Sequence, residues 1–388
     1  MAMAMAMAAS SSSSSIQVRS KKVAMLSTNV YLPDECWECI FKFLINHDAD
    51  DTRGRYFHLK SLSIVSNQLL SVTNRLRSSL TIYYPTCQFF DRFSNISSLN
   101  LSSYYVGDLD DLLVQISFSL LSKCPCIQHL NLQRAYFLNN QHVAELSLFL
   151  GDLMSIDLSE CKSLTESALF ALVSNCPSLI EIKMEWTSIG KEIVRNSNSS
   201  MDCIVNSQLK SLYLAHCQEL TDETIIRLSP ILSNLQLLDL NSCRLISDES
   251  ICQVLRRFCN IRHLNLANCS RVNLLVGMNF ELLKLEVLNL SYTAVHDEAL
   301  YAISKGCRGL LHLNLKNCHY VTCKGVKYVV ENCTQLREIN LQNCDKVHGN
   351  VSSMLLSSSS LRKIIAPPHI HFTRKTMKLF SHHGCRVC

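Results

Sequence analysis

Leu310-Leu-His-Leu-Asn-Leu-Lys-Asn-Cys318 is the stretch that decides the fold. Leu313 and Leu315 are separated by one polar residue, the period of two that turns both side chains inward from one short strand. The same L-x-x-L-x-L frame recurs on either side of it. Towards the N-terminus it reads Leu285/Leu288/Leu290, Ile261/Leu264/Leu266, Leu235/Leu238/Leu240, Leu209/Leu212/Leu214, Leu179/Ile182/Met184, Leu153/Ile156/Leu158, Ile127/Leu130/Leu132 and Ile96/Leu99/Leu101. Towards the C-terminus it reads Leu336/Ile339/Leu341 and, in degenerate form, Leu361/Ile364/Ala366. Successive first positions are 31, 26, 26, 30, 26, 26, 24, 25, 26 and 25 residues apart. Such regularity is the signature of a repeat array with units of about 20–29 residues.

Each unit reads the same way. After the strand comes a pair ending in cysteine: Glu160-Cys161, His216-Cys217, Ser242-Cys243, Asn268-Cys269, Asn317-Cys318 or Asn343-Cys344. A helix start follows at Thr165, Thr221, Ser247, Asp297 or Thr322, with acids such as Asp222-Glu223 and Asp248-Glu249 in the first turn, where caps and carboxylates favour a helix N-terminus. Many helices are expected to end at another cysteine: Cys124, Cys176, Cys259, Cys307 or Cys333. No unit can bury its apolar face alone, so stacking must make one continuous core. Longer spacings place loops near 104–119 and 191–207.

These residues resemble the cysteine-containing subtype of leucine-rich repeats over about 96–366. The resemblance implies an α/β fold, a horseshoe solenoid of strand-turn-helix units.

A different segment precedes the repeats. Leu32-Pro33-Asp34-Glu35 opens a helix, since proline suits its first turn and acids its positive end. Trp37, Ile40, Phe41 and Leu44 then fall on one apolar face, and a second helix is expected from about His58 to Arg77. So short a segment has little core of its own. Its motifs, Leu32-Pro33-Asp34-Glu35, Ile40-Phe41-Lys42-Phe43-Leu44 and Leu62-Ser63-Ile64-Val65-Ser66, resemble an F-box, and the combination with repeats resembles plant F-box proteins. The resemblance implies binding to the Skp-type adaptor of a cullin-RING ubiquitin ligase through Leu32, Pro33, Ile40, Phe41, Leu44 and Val65. The expected organisation is a Ser-rich disordered tail (1–29), F-box-like helices (30–80), a solenoid of about eleven units (81–366) and a C-terminal tail or cap (367–388).

Composition excludes several classes. Ten glycines and seven prolines in 388 residues are far below the average of about 12%, which argues against collagen-like or low-complexity character. A net charge of +5 without a dense basic block gives no reason to expect nucleic acid or membrane-surface binding. No apolar run approaches the roughly 20 residues of a membrane span. No P-loop, H-E-x-x-H, G-x-S-x-G or G-x-G-x-x-G motif occurs. The Ser-rich, acid-free stretch 1–33 lacks the apolar core of a secretory signal. It reads as a disordered tail, a transit peptide being the alternative. The 20 cysteines are therefore expected as reduced, buried thiols in a nuclear or cytoplasmic protein. Cys36-x-x-Cys39 and the tail His382-His383-Gly384-Cys385-Arg386-Val387-Cys388 have metal-like spacing, but read better as helix-face cysteines and a frayed end. Neither a cofactor, a metal nor a catalytic residue is expected.

The surface expected to hold a partner is the concave strand face. It carries Arg134, Asp157, Glu160, Lys183, Glu185, Trp186, Tyr213, His216, Asp239, His263, Tyr292 and Lys316, and exposed aromatics are frequent interface anchors. The leading reading is a non-catalytic subunit that holds a target protein near a ligase. The alternatives are a ligand-gated receptor of the same build, a plain interaction scaffold and, weakest, a cysteine or zinc enzyme.

Overall fold

The computed structural model describes residues 32–47, 59–82, 93, 95–102, 126–191, 208–273, 275, 281–348 and 351–388. Two compact units divide the chain, one ending at Val72 and one running from Thr73 to Cys388.

The described residues of the second unit form one parallel sheet of 13 short strands in chain order. They are β1 (Ser79–Thr81), β2 (Ser98–Asn100), β3 (His129–Asn131), β4 (Ser155–Asp157), β5 (Glu181–Lys183), β6 (Ser211–Tyr213), β7 (Leu237–Asp239), β8 (His263–Asn265), β9 (Val287–Asn289), β10 (His312–Asn314), β11 (Glu338–Asn340), β12 (Lys363–Ile365) and β13 (Arg386–Val387). Every L-x-x-L-x-L copy yields a strand. From β2 to β12 the central leucine or isoleucine is buried and pairs with its counterpart in the next strand, as Leu238 does with Leu264. Parallel pairing needs a crossover between strands, and among the described residues helices supply it after β3, β4, β6, β7, β9, β10, β11 and β12.

Two hydrogen-bond ladders tie unit to unit. In the first, a cysteine thiol donates to the carbonyl of the preceding unit's strand-end residue: Cys217 to Met184 at 3.2 Å, Cys243 to Leu214 at 3.2 Å, Cys269 to Leu240 at 3.1 Å and Cys344 to Leu315 at 3.0 Å. These cysteines therefore do more than fill space. Burial holds them as thiols: it pushes Cys269 and Cys344 up to about 12 and Cys318 up to about 11. In the second, a first-turn carboxylate caps the next helix. Asp222 accepts from the Ser247 N–H and hydroxyl, both at 2.7 Å, and Asp297 accepts from the Thr322 N–H at 2.9 Å and hydroxyl at 2.6 Å.

Several expectations need correction. His296, not Asp297, is the cap residue of the helix Asp297–Gly306, because that unit is shorter and the acid falls one place inside. Cys259 is exposed, and the inward position three before the strand motif is held by the buried Phe258. The stretch 367–388 is not a frayed tail: Arg374–His382 forms a helix capped by Thr373, and β13 pairs with β12. The sheet also starts at β1, inside the span expected to be F-box-like. The expected loops near 104–119 and 191–207, the tail 1–29 and Cys124 lie outside the described residues, except for the ends of these ranges that the structure includes.

The first unit contains the helix Asp34–His47, a helical segment at 59–63 and the helix Asn67–Leu76, which continues into the second unit. The expected single helix from His58 to Arg77 is interrupted at Ile64–Ser66. Ser66 ends the first piece and its hydroxyl accepts from the Leu69 N–H at 3.1 Å, a local cap for the second. Gln68 fastens the two ends of the unit, donating at 2.9 Å both to the Leu32 carbonyl and to Asp34 Oδ1.

Candidate protein-interaction surfaces

In the helical unit, the expected apolar face divides. Phe41 is buried, with its ring 5.6 Å from that of Trp37 one turn earlier, so it is not a free adaptor contact. Helix geometry gives the reason. A stripe made of positions 37, 40, 41 and 44 is wide, and its 37/41 edge turns inward while its 40/44 edge stays out. Ile40 is 41% and Leu44 47% exposed, and Phe43, which the motif contains but the expected contact set omitted, is 69% exposed. Val65 and its neighbour Ile64 are also exposed, at 67% and 83%. Pro33 is exposed and Leu32 half-buried.

On the sheet, side chains flanking the central leucines form parallel rows. The row just after them is mostly asparagine or aspartate. Its Oδ1 accepts the N–H two residues on, as Asn131 does from Gln133, Asp157 from Ser159, Asp239 from Asn241 and Asn314 from Lys316, at 2.8–3.1 Å. Asp157 and Asp239, expected as partner-binding residues, are thus also turn-forming residues. Lys183 and Tyr213 stand in the same row on β5 and β6 and cannot make this bond.

A further row follows at the bend after each strand. Arg134, Glu160, Trp186, His216, Ser242, Asn268, Tyr292, Asn317 and Asn343 all have φ between 56° and 65°, the left-handed region. Their N–H groups continue the ladder, as Trp186 donates to the Ala215 carbonyl at 2.9 Å and His216 to that of Asn241 at 2.7 Å. Asparagine accepts this conformation readily, whereas a bulky residue there is strained by about 1–2 kcal/mol.

The structure brings most of the expected residues together on β4–β7. Trp186 and His216 stack with centroids 4.0 Å apart and planes 6° from parallel. Asn241, missed at first, places its amide nitrogen 3.4 Å from His216 Nε2. Lys183 Nζ lies 5.3 Å from the centre of the Tyr213 ring and 3.6 Å from Glu181. Glu185 is half-buried, and burial, then Asp239 and Asp157, raise its carboxyl above the usual range. Burial likewise raises Tyr213 and lowers His216. Alongside, Arg134 Nε donates to both oxygens of Glu160 at 3.0 Å, and that hydrogen bond holds Glu160 low. Gln133, also missed, donates to Glu160 at 3.2 Å. Gln133 and Asn241 occupy the same row as Glu185 and Lys316, so the repeat register already marked them.

Two groups stand apart. Tyr292 is exposed with Lys316 Nζ 5.9 Å from its ring, on the β9 and β10 units. His263 is exposed on β8 between Leu237 and Val287, without a charged neighbour in its row. Among the described residues no three His, Cys, Asp or Glu side chains gather as a metal site, and no helix is long and apolar enough to cross a membrane.

Comparison with known proteins agrees on the fold. The leucine-rich repeat profile matches residues 282–304. No curated protein matches the sequence. An internalin, InlF, from Listeria monocytogenes is similar in structure, with 15% identity over 85% of this chain and 92% of its own and a TM-score of 0.53. A chain of the yeast Rad7–Elc1 complex structure aligns at 19% identity over 91% of this chain and 92% of its own, with a TM-score of 0.49. The likeness to InlF is one of fold. The chain carries a leucine-rich-repeat solenoid, a fold suited to binding other proteins.

Proposed function

We propose that this leucine-rich-repeat chain is the non-catalytic substrate-recognition subunit of a cullin-RING ubiquitin ligase. In this reading the helical unit docks on a Skp-type adaptor through Ile40, Phe43, Leu44, Ile64 and Val65, and the strand face holds the target protein. Catalysis is by proximity: tethering raises the effective concentration of target lysines near the charged conjugating enzyme. The observation that carries the reading is the exposure of large apolar side chains on the unit whose sequence resembles an F-box. Such side chains suit an interface where they gather in one patch, and burying one contributes about 1.5–3 kcal/mol.

The test is copurification of the full chain with a purified Skp-type adaptor. The expected result is a stable complex that Ile40→Asp or Val65→Asp abolishes without lowering the melting temperature of the solenoid. A folded wild-type chain that ignores the adaptor would overturn the ligase reading and leave a repeat scaffold.

A further inference from the structure

The β5 and β6 units depart from their neighbours twice each, and the departures coincide. Where β2–β4 and β7–β11 place a turn-forming Asn or Asp, these place Lys183 and Tyr213. Where the left-handed bend is held by Ser or Asn in the units of β7, β8, β10 and β11, these hold Trp186 and His216. Each departure gives up local stability, by a lost turn bond or a strained bulky residue. The repeat itself shows that the cheaper residues fit. Arg134, Glu160 and Tyr292 also hold this bend, but their units keep the turn bond; the coincidence of both departures in two adjacent units points to a function at that place.

The charges around the two aromatics define what the place suits. Asp157, Glu181, Glu185 and Asp239 lie on this stretch of the sheet, and Lys183 is the cation set among them. Its ammonium sits against the Tyr213 ring and the Glu181 carboxylate, an arrangement that favours a cation on an aromatic surface. Among the described residues no cationic side chain is in hydrogen-bond contact with Asp157 or Glu185, Lys183 acting on Glu185 only through charge. Of the other cations nearby, Arg134 is held by Glu160, while Arg244 and Lys162 act on His216 and Glu160 through charge.

Resting on the reading that the strand face holds a target protein, we infer that the β4–β7 face takes an arginine- or lysine-bearing segment of that target. The target's cationic group lies between Asp157 and Glu185, and its neighbouring residues pack on the Trp186–His216 stack. A guanidinium fits best, since it can bond a carboxylate in bidentate fashion and stack on a ring at once.

The repeat supplies clean variants. Asp157→Asn keeps the turn bond, which asparagine makes in the neighbouring units, and removes only charge; Glu185→Gln does the same for its carboxyl. Trp186→Asn installs the residue that other units use at this bend. The experiment is selection of a displayed library of random 12-residue peptides on the full-length chain, with affinities then measured on each variant. The expected result is enrichment of arginine or lysine, a loss of at least tenfold for Asp157→Asn/Glu185→Gln and for Trp186→Asn, and melting temperatures equal to or above wild type. Selected peptides that lack a cation, or cationic ones that bind the charge variant unchanged, overturn the inference. If cation-free peptides still lose affinity on Trp186→Asn, the strand face remains the protein-binding surface and only its basic specificity falls. If no selected peptide responds to either variant, or none is selected, both this inference and the strand-face reading fall, whereas the adaptor pull-down stands on its own.

Discussion

Glu166 and Arg227 meet at 2.6 Å although 61 residues separate them. Glu166 begins the helix after β4 and Arg227 lies in the helix after β6, so the pair skips a unit. The other oxygen of Glu166 accepts the Gly190 N–H at 2.9 Å. With Glu166 only 1% exposed, its charge relies on these two partners. An ion pair of this kind adds little over an apolar replacement, but removing one member strands the other.

Arg227→Ala should therefore destabilise the chain by about 2–3 kcal/mol, somewhat below the range for a fully buried pair because the guanidinium is partly exposed. Chemical denaturation of Arg227→Ala beside Arg227→Ala/Glu166→Gln measures this. The double variant should recover part of the loss, and no recovery would mean that Glu166 is not the stranded group.

Gly325 stands in the helix Cys323–Asn332, where alanine would ordinarily stabilise by about 1 kcal/mol. Here the sign reverses. A Cβ at this position would lie 2.3 Å from Asp297 Oδ1 and 2.8 Å from Leu300 Cδ1. Asp297 is also the group that caps Thr322, so it cannot retreat without breaking the inter-unit ladder. Gly325→Ala should cost about 1–3 kcal/mol, and a thermal melt that rises instead would refute the close approach.

The buried thiols predict an alkaline limit. Their folded pKa values lie above the ordinary value of about 9, at about 12 for Cys161, Cys269, Cys333 and Cys344. Protons are thus held more tightly in the folded state. The stabilisation is complete below pH 9 and is lost as pH rises from there towards 12. Each such thiol costs up to about 1.4 kcal/mol per pH unit in that window. Melting temperatures measured from pH 8 to 11 should fall steeply above 9. Replacing Cys269 with Ser should shallow the slope, and an identical slope would exclude that thiol as a contributor.

Phe41 and Ile40 separate packing from binding. Phe41→Ala should cost about 3–5 kcal/mol of local stability in the helical unit, as expected for a buried aromatic. Ile40→Ala and Leu44→Ala should stay within about 0.5 kcal/mol of wild type, as surface changes do, while weakening adaptor capture. Circular dichroism of each variant beside a titration with adaptor distinguishes the two; weak binding by a fully folded Phe41→Ala chain would reverse the assignment.

The sequence by itself determined the strands from β2 to β12, their order and the inward leucines, because a period of two inside a period near 26 admits one way of stacking and each unit packs mainly on its neighbours. Cysteine after the strand and hydroxyl or acid before the helix were readable for the same reason. What only the tertiary structure decided is what depends on a second unit or a precise angle. The thiols donate to carbonyls of the preceding unit, and Asp222 and Asp297 cap helices about 25 residues on. Arg386–Val387 become a strand because β12 offers an edge; two residues carry no periodicity of their own. Phe41 and Ile40 are neighbours in one apolar stripe, and only packing assigned one to the inside. The coincidence of Lys183 and Tyr213 with Trp186 and His216 was written in the repeat register, yet its meaning rests on the turn bonds and left-handed bends that the folded chain imposes on the other units.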